Sequence, residues 1–275
     1  MTPIVKTTAA TLASAIAIFG SGPFTGSTVR WSVPRVCVLA LMTAAACGRV
    51  GFGDVATPGL DGAIPGSDVG AAQYATPNVV QASVGFEVAA AITVPIAATA
   101  EGDTIVVAVA GYFGVTSVSD DASNAYVVAM KQGDPALDTA ELWYAQPGQG
   151  SATSVTVTMP NANNTVVWVI ELANIDPVAP VSATMGAETT TSSAIATAPS
   201  LATTIPGTVV IDVGAGGAVF DSLRSGDGFS ELEIEYGDVT AYDVTAQPGS
   251  YAATWFVSTG GAWSISAAAF APAPL

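Results

Sequence analysis

Thr104-Ile105-Val106-Val107-Ala108-Val109 is apolar at every position but the first and rich in β-branched side chains. The run is too short for a core helix, and β-branched residues favour an extended chain, so it reads as a strand covered on both faces. Outward from it, similar runs recur between Gly, Pro, Asn and Asp: Ala140-Glu141-Leu142-Trp143-Tyr144, Ser154-Val155-Thr156-Val157-Thr158, Thr165 to Leu172, Thr208 to Val213 and Ala262 to Phe270. They follow one another too closely for helices between them, and no helical period is sustained anywhere. The expected fold is all-β: a jelly-roll-like two-sheet β-sandwich over residues 77–272, preceded by a signal segment and a flexible linker.

The chain also echoes itself. Gly102-Asp103-Thr104-Ile105-Val106-Val107 is answered by Gly207-Thr208-Val209-Val210-Ile211, and Ala145-Gln146-Pro147-Gly148 by Ala246-Gln247-Pro248-Gly249. Each of the latter is followed by a Ser/Thr-rich strand and then one carrying a tryptophan, Trp168 or Trp263. A spacing near 100 residues reads as a duplicated β unit, and short connections between the halves favour one domain over two. Together with Val115-Thr116-Ser117-Val118-Ser119-Asp120-Asp121-Ala122-Ser123-Asn124-Ala125-Tyr126, which reads strand–turn–strand, residues 79–271 resemble a jelly-roll module of secreted bacterial proteins. No activity comes with that resemblance.

Composition narrows the function classes. The formal charge is −16, and all 22 acidic residues lie from Asp54 onward, beside only Arg49, Lys131 and Arg224. Such a surface repels phosphate backbones, so no nucleic-acid partner is expected. There is no histidine, which removes Ser-His-Asp triads, Cys-His dyads and histidine-bearing zinc sites. The two cysteines are Cys37 and Cys47.

Arg30 and Arg35 precede an apolar stretch, Val36 to Ala46, that is too short to span a bilayer and ends in Ala44-Ala45-Ala46-Cys47-Gly48. This resembles a bacterial lipobox, with Ala44 where leucine is commoner. The resemblance implies cleavage before Cys47, lipid attachment to its sulfur, and removal of Cys37 with the signal. A lone cysteine in an exported chain is thereby explained. Gly48, where an aspartate would imply retention at the inner membrane, implies an outer-membrane lipoprotein held at the cell surface or periplasmic face. A second apolar patch, Ala9 to Phe19, lies upstream, so translation is expected to begin at Val29 and to leave 1–28 outside the protein. The domains expected are therefore a signal region at 1–46, a linker at 47–76 and the β-sandwich at 77–272. The linker opens Cys47-Gly48-Arg49-Val50-Gly51-Phe52-Gly53, which resembles the start of myxobacterial surface lipoproteins. At 5–6 Å × √n, roughly 30 such residues would hold the domain about 30 Å from a membrane.

Three groups of residues could carry chemistry. In Glu231-Leu232-Glu233-Ile234-Glu235 strict alternation would put three carboxylates on one face of a strand. The run resembles the catalytic strand of family-16-type β-glucanases, which implies Glu231 as nucleophile and Glu235 as acid/base, although Glu233 stands where that family has aspartate. The same alternation is what any half-exposed strand of an acidic protein shows. Asp120, Asp121 and Asn124 could hold Ca²⁺ with a distant acid such as Asp134 or Asp138, but they also fit ordinary turn chemistry. Aromatic neighbours Trp143-Tyr144 and Trp255-Phe256 must point to opposite faces, and Tyr144 and Trp255 are taken as the candidates for stacking on a sugar. Without a required cofactor or a catalytic set, the expected function is non-enzymatic: a cell-surface recognition or adhesion module with a glycan or protein ligand. The alternative is a carboxylate-based glycoside hydrolase on a jelly-roll scaffold.

Overall fold

The computed structural model describes residues 72–134, 138–145 and 148–275. The signal region, Cys47 and the linker up to residue 71 lie outside the described residues. Among those described there is no helix. The strands are β1 Asn78–Pro95, β2 Thr104–Gly111, β3 Ser117–Asp120, β4 Tyr126–Gly133, β5 Thr139–Ala145, β6 Ser154–Ala173, β7 Val181–Thr189 and β8 Ile195–Thr197. They continue with β9 Leu201–Thr203, β10 Val209–Gly216, β11 Val219–Leu223, β12 Ser230–Glu235, β13 Asp238–Val244, β14 Gly249–Tyr251, β15 Thr254–Thr259 and β16 Trp263–Phe270.

Two large antiparallel sheets form the centre of a β-sandwich. One runs β1-β6-β2-β5-β4, with β3 also paired to β6; the other runs β12-β13-β10-β16-β7. Three-stranded β11-β15-β8 and the pair β14-β9 complete the fold. β2 is buried at all eight positions because it lies between two cores. Val106, Ala108 and Ala110 face Ile211, Val213 and Phe270 of the other large sheet. Ile105, Val107 and Val109 face Ile92, Val94, Val155 and Val157, from the far ends of the long strands β1 and β6. Those strands, 18 and 20 residues long, bend over their own sheet. The register shift between Ala89 and Ala91 marks the bend, because an unpaired residue kinks an antiparallel pair. The second half does the same with broken strands: Phe220, Trp255 and Val257 cover the outer side of Val239, Ala241 and Ile265.

The halves are structural repeats. β2 sits between β5 and β6 as β10 sits between β13 and β16. Gly102 and Gly207, one at each strand entry, both turn at positive φ (88° and 82°), a conformation glycine adopts without steric cost. Their shared core between the large sheets makes the repeats parts of one folded body. Two details of the sequence echo are out of register. Ala108 pairs with Trp168, whereas its counterpart Val213 pairs with Ser266, so Trp263 is not the equivalent of Trp168. Likewise Ala145 pairs with Ile105, but the counterpart Val210 pairs with Asp243 rather than Ala246.

Residues 72–76, which composition assigned to the linker, are tied to the C-terminus. Tyr74 bridges Pro274, the Ala75 N–H donates to the Ala273 carbonyl at 2.8 Å, and the Leu275 N–H donates to the Gln73 carbonyl at 2.9 Å.

Candidate functional site

The structure separates the two carboxylates implied by the glucanase resemblance. A bulge falls between Glu231 and Glu233, so Glu231 opposes Ala241, Glu233 opposes Thr240 and Glu235 opposes Asp238. Directly opposed residues share a face, which puts Glu231 on one side of the sheet and Glu235 on the other. Leu232 accordingly packs into the core between the large sheets, while Ile234 packs into the outer one. Glu231 accepts the Leu223 N–H at 3.0 Å from the outer layer. A nucleophile and an acid on opposite faces cannot act on one bond, so this pair is not a glycosidase site.

The aromatic candidates are also spent internally. Trp255 is fully buried, and its indole N–H donates to the Asp212 carboxylate at 3.0 Å. Its neighbour Phe256 is the exposed one. Tyr144 packs edge-on against Phe270, with ring centroids 6.0 Å apart, in the core between the sheets. Asp120 accepts from the Ala122 and Asn124 backbone N–H groups, the Asn124 amide and the Tyr126 hydroxyl. Asp121 accepts from Thr153 and Ser154, and the Asn124 amide oxygen from Gln149. These oxygens hold a turn together rather than converge on one point. Among the described residues, no group of three or more acidic, Cys or His side chains is arranged to hold a metal.

A different set of residues converges where both large sheets end. β2 finishes at Gly111 and β5 begins just after Asp138; on the other sheet β10 finishes at Gly216 and β13 begins at Asp238. Because the sheets stack with β2 over β10, these ends meet around a cleft of about 320 Å³, lined also by Tyr112, Asn164, Gly217, Ala218, Val219 and Tyr236. The Gly216 N–H donates to Asp238 Oδ1 at 3.3 Å. The Gly217 N–H donates to the Asp138 carboxylate from the opposite sheet. Burial pushes Asp138 up to about 6. Burial also raises Asp238 well above the usual carboxylate range, and the nearby Asp138 adds to the effect. Asp138 acts in turn on the Tyr112 phenol, raising its pKa together with burial and Asp238.

Local backbone shape sets the aromatic rim. Tyr236 and Gly237 both have positive φ (53° and 85°), forming a two-residue hairpin turn between β12 and β13. The turn stacks Tyr236 on Phe86, centroids 4.4 Å apart, and lets the Asn164 amide donate to its hydroxyl at 3.0 Å. Beside Tyr112, Phe113 is held at φ 66°, an uncommon conformation for an aromatic residue and one that recurs at ligand sites. Gly217 leaves open space, with no atom within 4 Å of where a Cβ would stand.

A second cavity of about 130 Å³ lies on the other side of Asp138, lined by Asp134, Glu188, Thr189, Thr190, Ala262, Trp263 and Ser264. Neither cavity is lined by a described lysine or arginine. Carboxyls whose pKa burial raises can hold a proton and so donate as well as accept hydrogen bonds, as do phenols and amides, so the cleft can serve both sides of a hydroxyl group. Sequence reasoning reached Asp138 only as a spare calcium ligand and missed Asp238. The signal was present in Tyr236-Gly237-Asp238, a turn followed at once by an acid entering an apolar strand. Comparison with protein-family models, with curated proteins and with solved structures finds no match to this chain.

Proposed function

We propose that this protein is an exported surface lipoprotein, tethered to the outer membrane through Cys47, whose β-sandwich recognises glycans in the cleft between Asp138 and Asp238. The observation that carries the recognition reading is the convergence, at one end of the fold, of two carboxylates, two phenols, an amide and bare glycine backbone around open space. That combination suits a polyhydroxylated ligand, which needs many paired donors and acceptors and an aromatic wall for its C–H face. The lipoprotein part rests on the sequence from Arg30 to Gly48. A glycan array tests the recognition reading: binding that falls with Asp238→Asn supports it, and a blank array rejects it. Fatty-acid labelling of the wild type but not of Cys47→Ala, with loss from the membrane fraction, tests the anchor.

A second reading is favoured by one observation, the Asp138 carboxyl raised to about 6 beside a second acid. A carboxyl protonated near neutral pH can act as a general acid on a glycosidic oxygen. Release of reducing ends from any array-positive glycan, lost in Asp138→Asn, would move the protein from binder to hydrolase.

A further inference from the structure

We propose that the turn entering β2 is an acid-held latch: Asp103 and Glu171 close it by sharing one proton, and loss of that proton opens it. Glu171, near the end of β6, is buried, and both of its oxygens are engaged. Oε1 accepts the Ala100 N–H at 2.8 Å, and Oε2 accepts the Gln81 amide at 2.5 Å. A carboxylate that accepts on both sides has no proton to give, so in its hydrogen bond with Asp103 the proton is carried by Asp103. This contact joins β6 to the connection between β1 and β2. The same connection is tied to the β5–β6 turn. The Gly102 N–H donates to the Gly148 carbonyl at 3.2 Å, and the Gly148 N–H donates to the Asp103 carbonyl at 3.1 Å.

The second repeat builds this turn without acids. At the entry to β10 the Gly207 N–H donates to the Thr245 carbonyl at 2.6 Å, and the Thr245 N–H donates to the Thr208 carbonyl at 2.9 Å. Thr208 stands for Asp103, and its hydroxyl donates to the Ile205 carbonyl at 2.8 Å. Ala269 stands for Glu171, since Val210 pairs with Ala269 as its counterpart Ile105 pairs with Glu171. Neutral side chains therefore suffice for the turn, and the first repeat makes it depend on a proton.

The surroundings offer the acid pair no compensation. Glu171 is the one charged group that acts on Asp103. β1 contributes the neutral Gln81, and the β5–β6 turn contributes peptide groups. Tyr126, packed with Ile105 in the outer core, spends its hydroxyl on Asp120. Glu101, two residues before Asp103 in the chain, is exposed. Lys131 is paired with Glu141, and Arg224 follows β11. When Asp103 ionises, two carboxylates meet without a cation between them. Burial and Glu171 raise Asp103 from 3.8 to about 6, so the closed turn keeps its proton below that pH and gives it up above. By linkage, a shift of that size lowers the closed-to-open ratio about tenfold between pH 5 and pH 8.

Hydrogen exchange of the full chain, resolved by residue with NMR and corrected for intrinsic rates, tests this at pH 5 and pH 8. The comparison is with Asp103→Asn, whose side-chain amide donates to Glu171 at either pH. For the Ala100, Gly102 and Gly148 N–H groups, the ratio of wild-type to variant protection should fall about tenfold from pH 5 to pH 8. For Gly207 and Thr245 that ratio should not change. An unchanged ratio at the first three groups overturns the latch. A fall of the same size at both turns also overturns it, because Asp103 would then act through unfolding of the whole domain rather than at its own turn.

Discussion

Glu141 is a fully buried acid whose two carboxyl oxygens are both engaged by partners. Lys131 Nζ lies 2.8 Å from Glu141 Oε1, and the carboxylate also accepts the Val115 N–H and the Trp143 indole N–H, both at 2.9 Å. In the other repeat the cross-strand pair at the same place is Ile234 and Val239. Lys131→Ile should therefore cost roughly 2–3 kcal/mol in denaturant unfolding, because it strands a buried charge, and adding Glu141→Val should recover part of the loss. Only the parity of a side chain was legible at this scale. Adjacency correctly required Trp255 and Phe256 to face opposite ways, but the sign of the choice depends on Asp212, distant in sequence, which offers the buried indole its acceptor. On β5 the same reasoning breaks down: both faces of that strand are covered, so Trp143 and Tyr144 are each half-buried.

At the scale of elements, the strands could be read from β-branched runs between turn residues, and β2 was identifiable from its doubly apolar pattern. What alternation could not supply was the bulge in β12. One unpaired residue reverses every side chain beyond it, which is why three glutamates read as one face lie on two. β4 carries the equivalent register shift, between Val128 and Met130, so the bulge belongs to the repeated unit. The turn that follows β12 is equally specific. Gly237 sits at φ 85°, where a Cβ meets its own backbone, so Gly237→Ala should cost about 1 kcal/mol. Because this turn carries Tyr236 and Asp238, the same variant should also weaken ligand binding, which calorimetry on the folded variant would read. The long, bent course of β1 and β6 was hidden as well: polar Asn161, Asn163 and Asn164 look like a loop but lie within β6, where Asn163 bonds the Thr165 hydroxyl at 2.6 Å.

For the whole molecule, two consequences follow from where its acids and its ends lie. Burial, aided by Glu171, raises Asp103 to about 6; burial also raises Asp138 to about 6, Asp212 to about 7, and Asp238 and Asp243 above their ordinary values. Each binds its proton more tightly folded than unfolded, so their contribution is fully present below about pH 4 and is lost as pH rises through the folded values, about 6 to 7 for Asp103, Asp138 and Asp212. Asp121, whose pKa is lowered by Thr153, opposes this from the surface. Thermal unfolding should accordingly show a higher midpoint at pH 5 than at pH 8, and Asp212→Asn should flatten that slope. The second consequence is polarity. Residue 73 and the C-terminus meet beside the entries of β2 and β10, whereas the cleft opens at their exits, eight residues or roughly 26 Å away. A tag on the C-terminus should thus leave ligand binding unchanged. The most direct test of the cleft itself is calorimetric titration of an array-positive glycan into the wild type and Gly217→Leu, with unfolding midpoints measured alongside. We predict equal midpoints and binding lost in the variant; equal affinity in both proteins would contradict the assignment of the site.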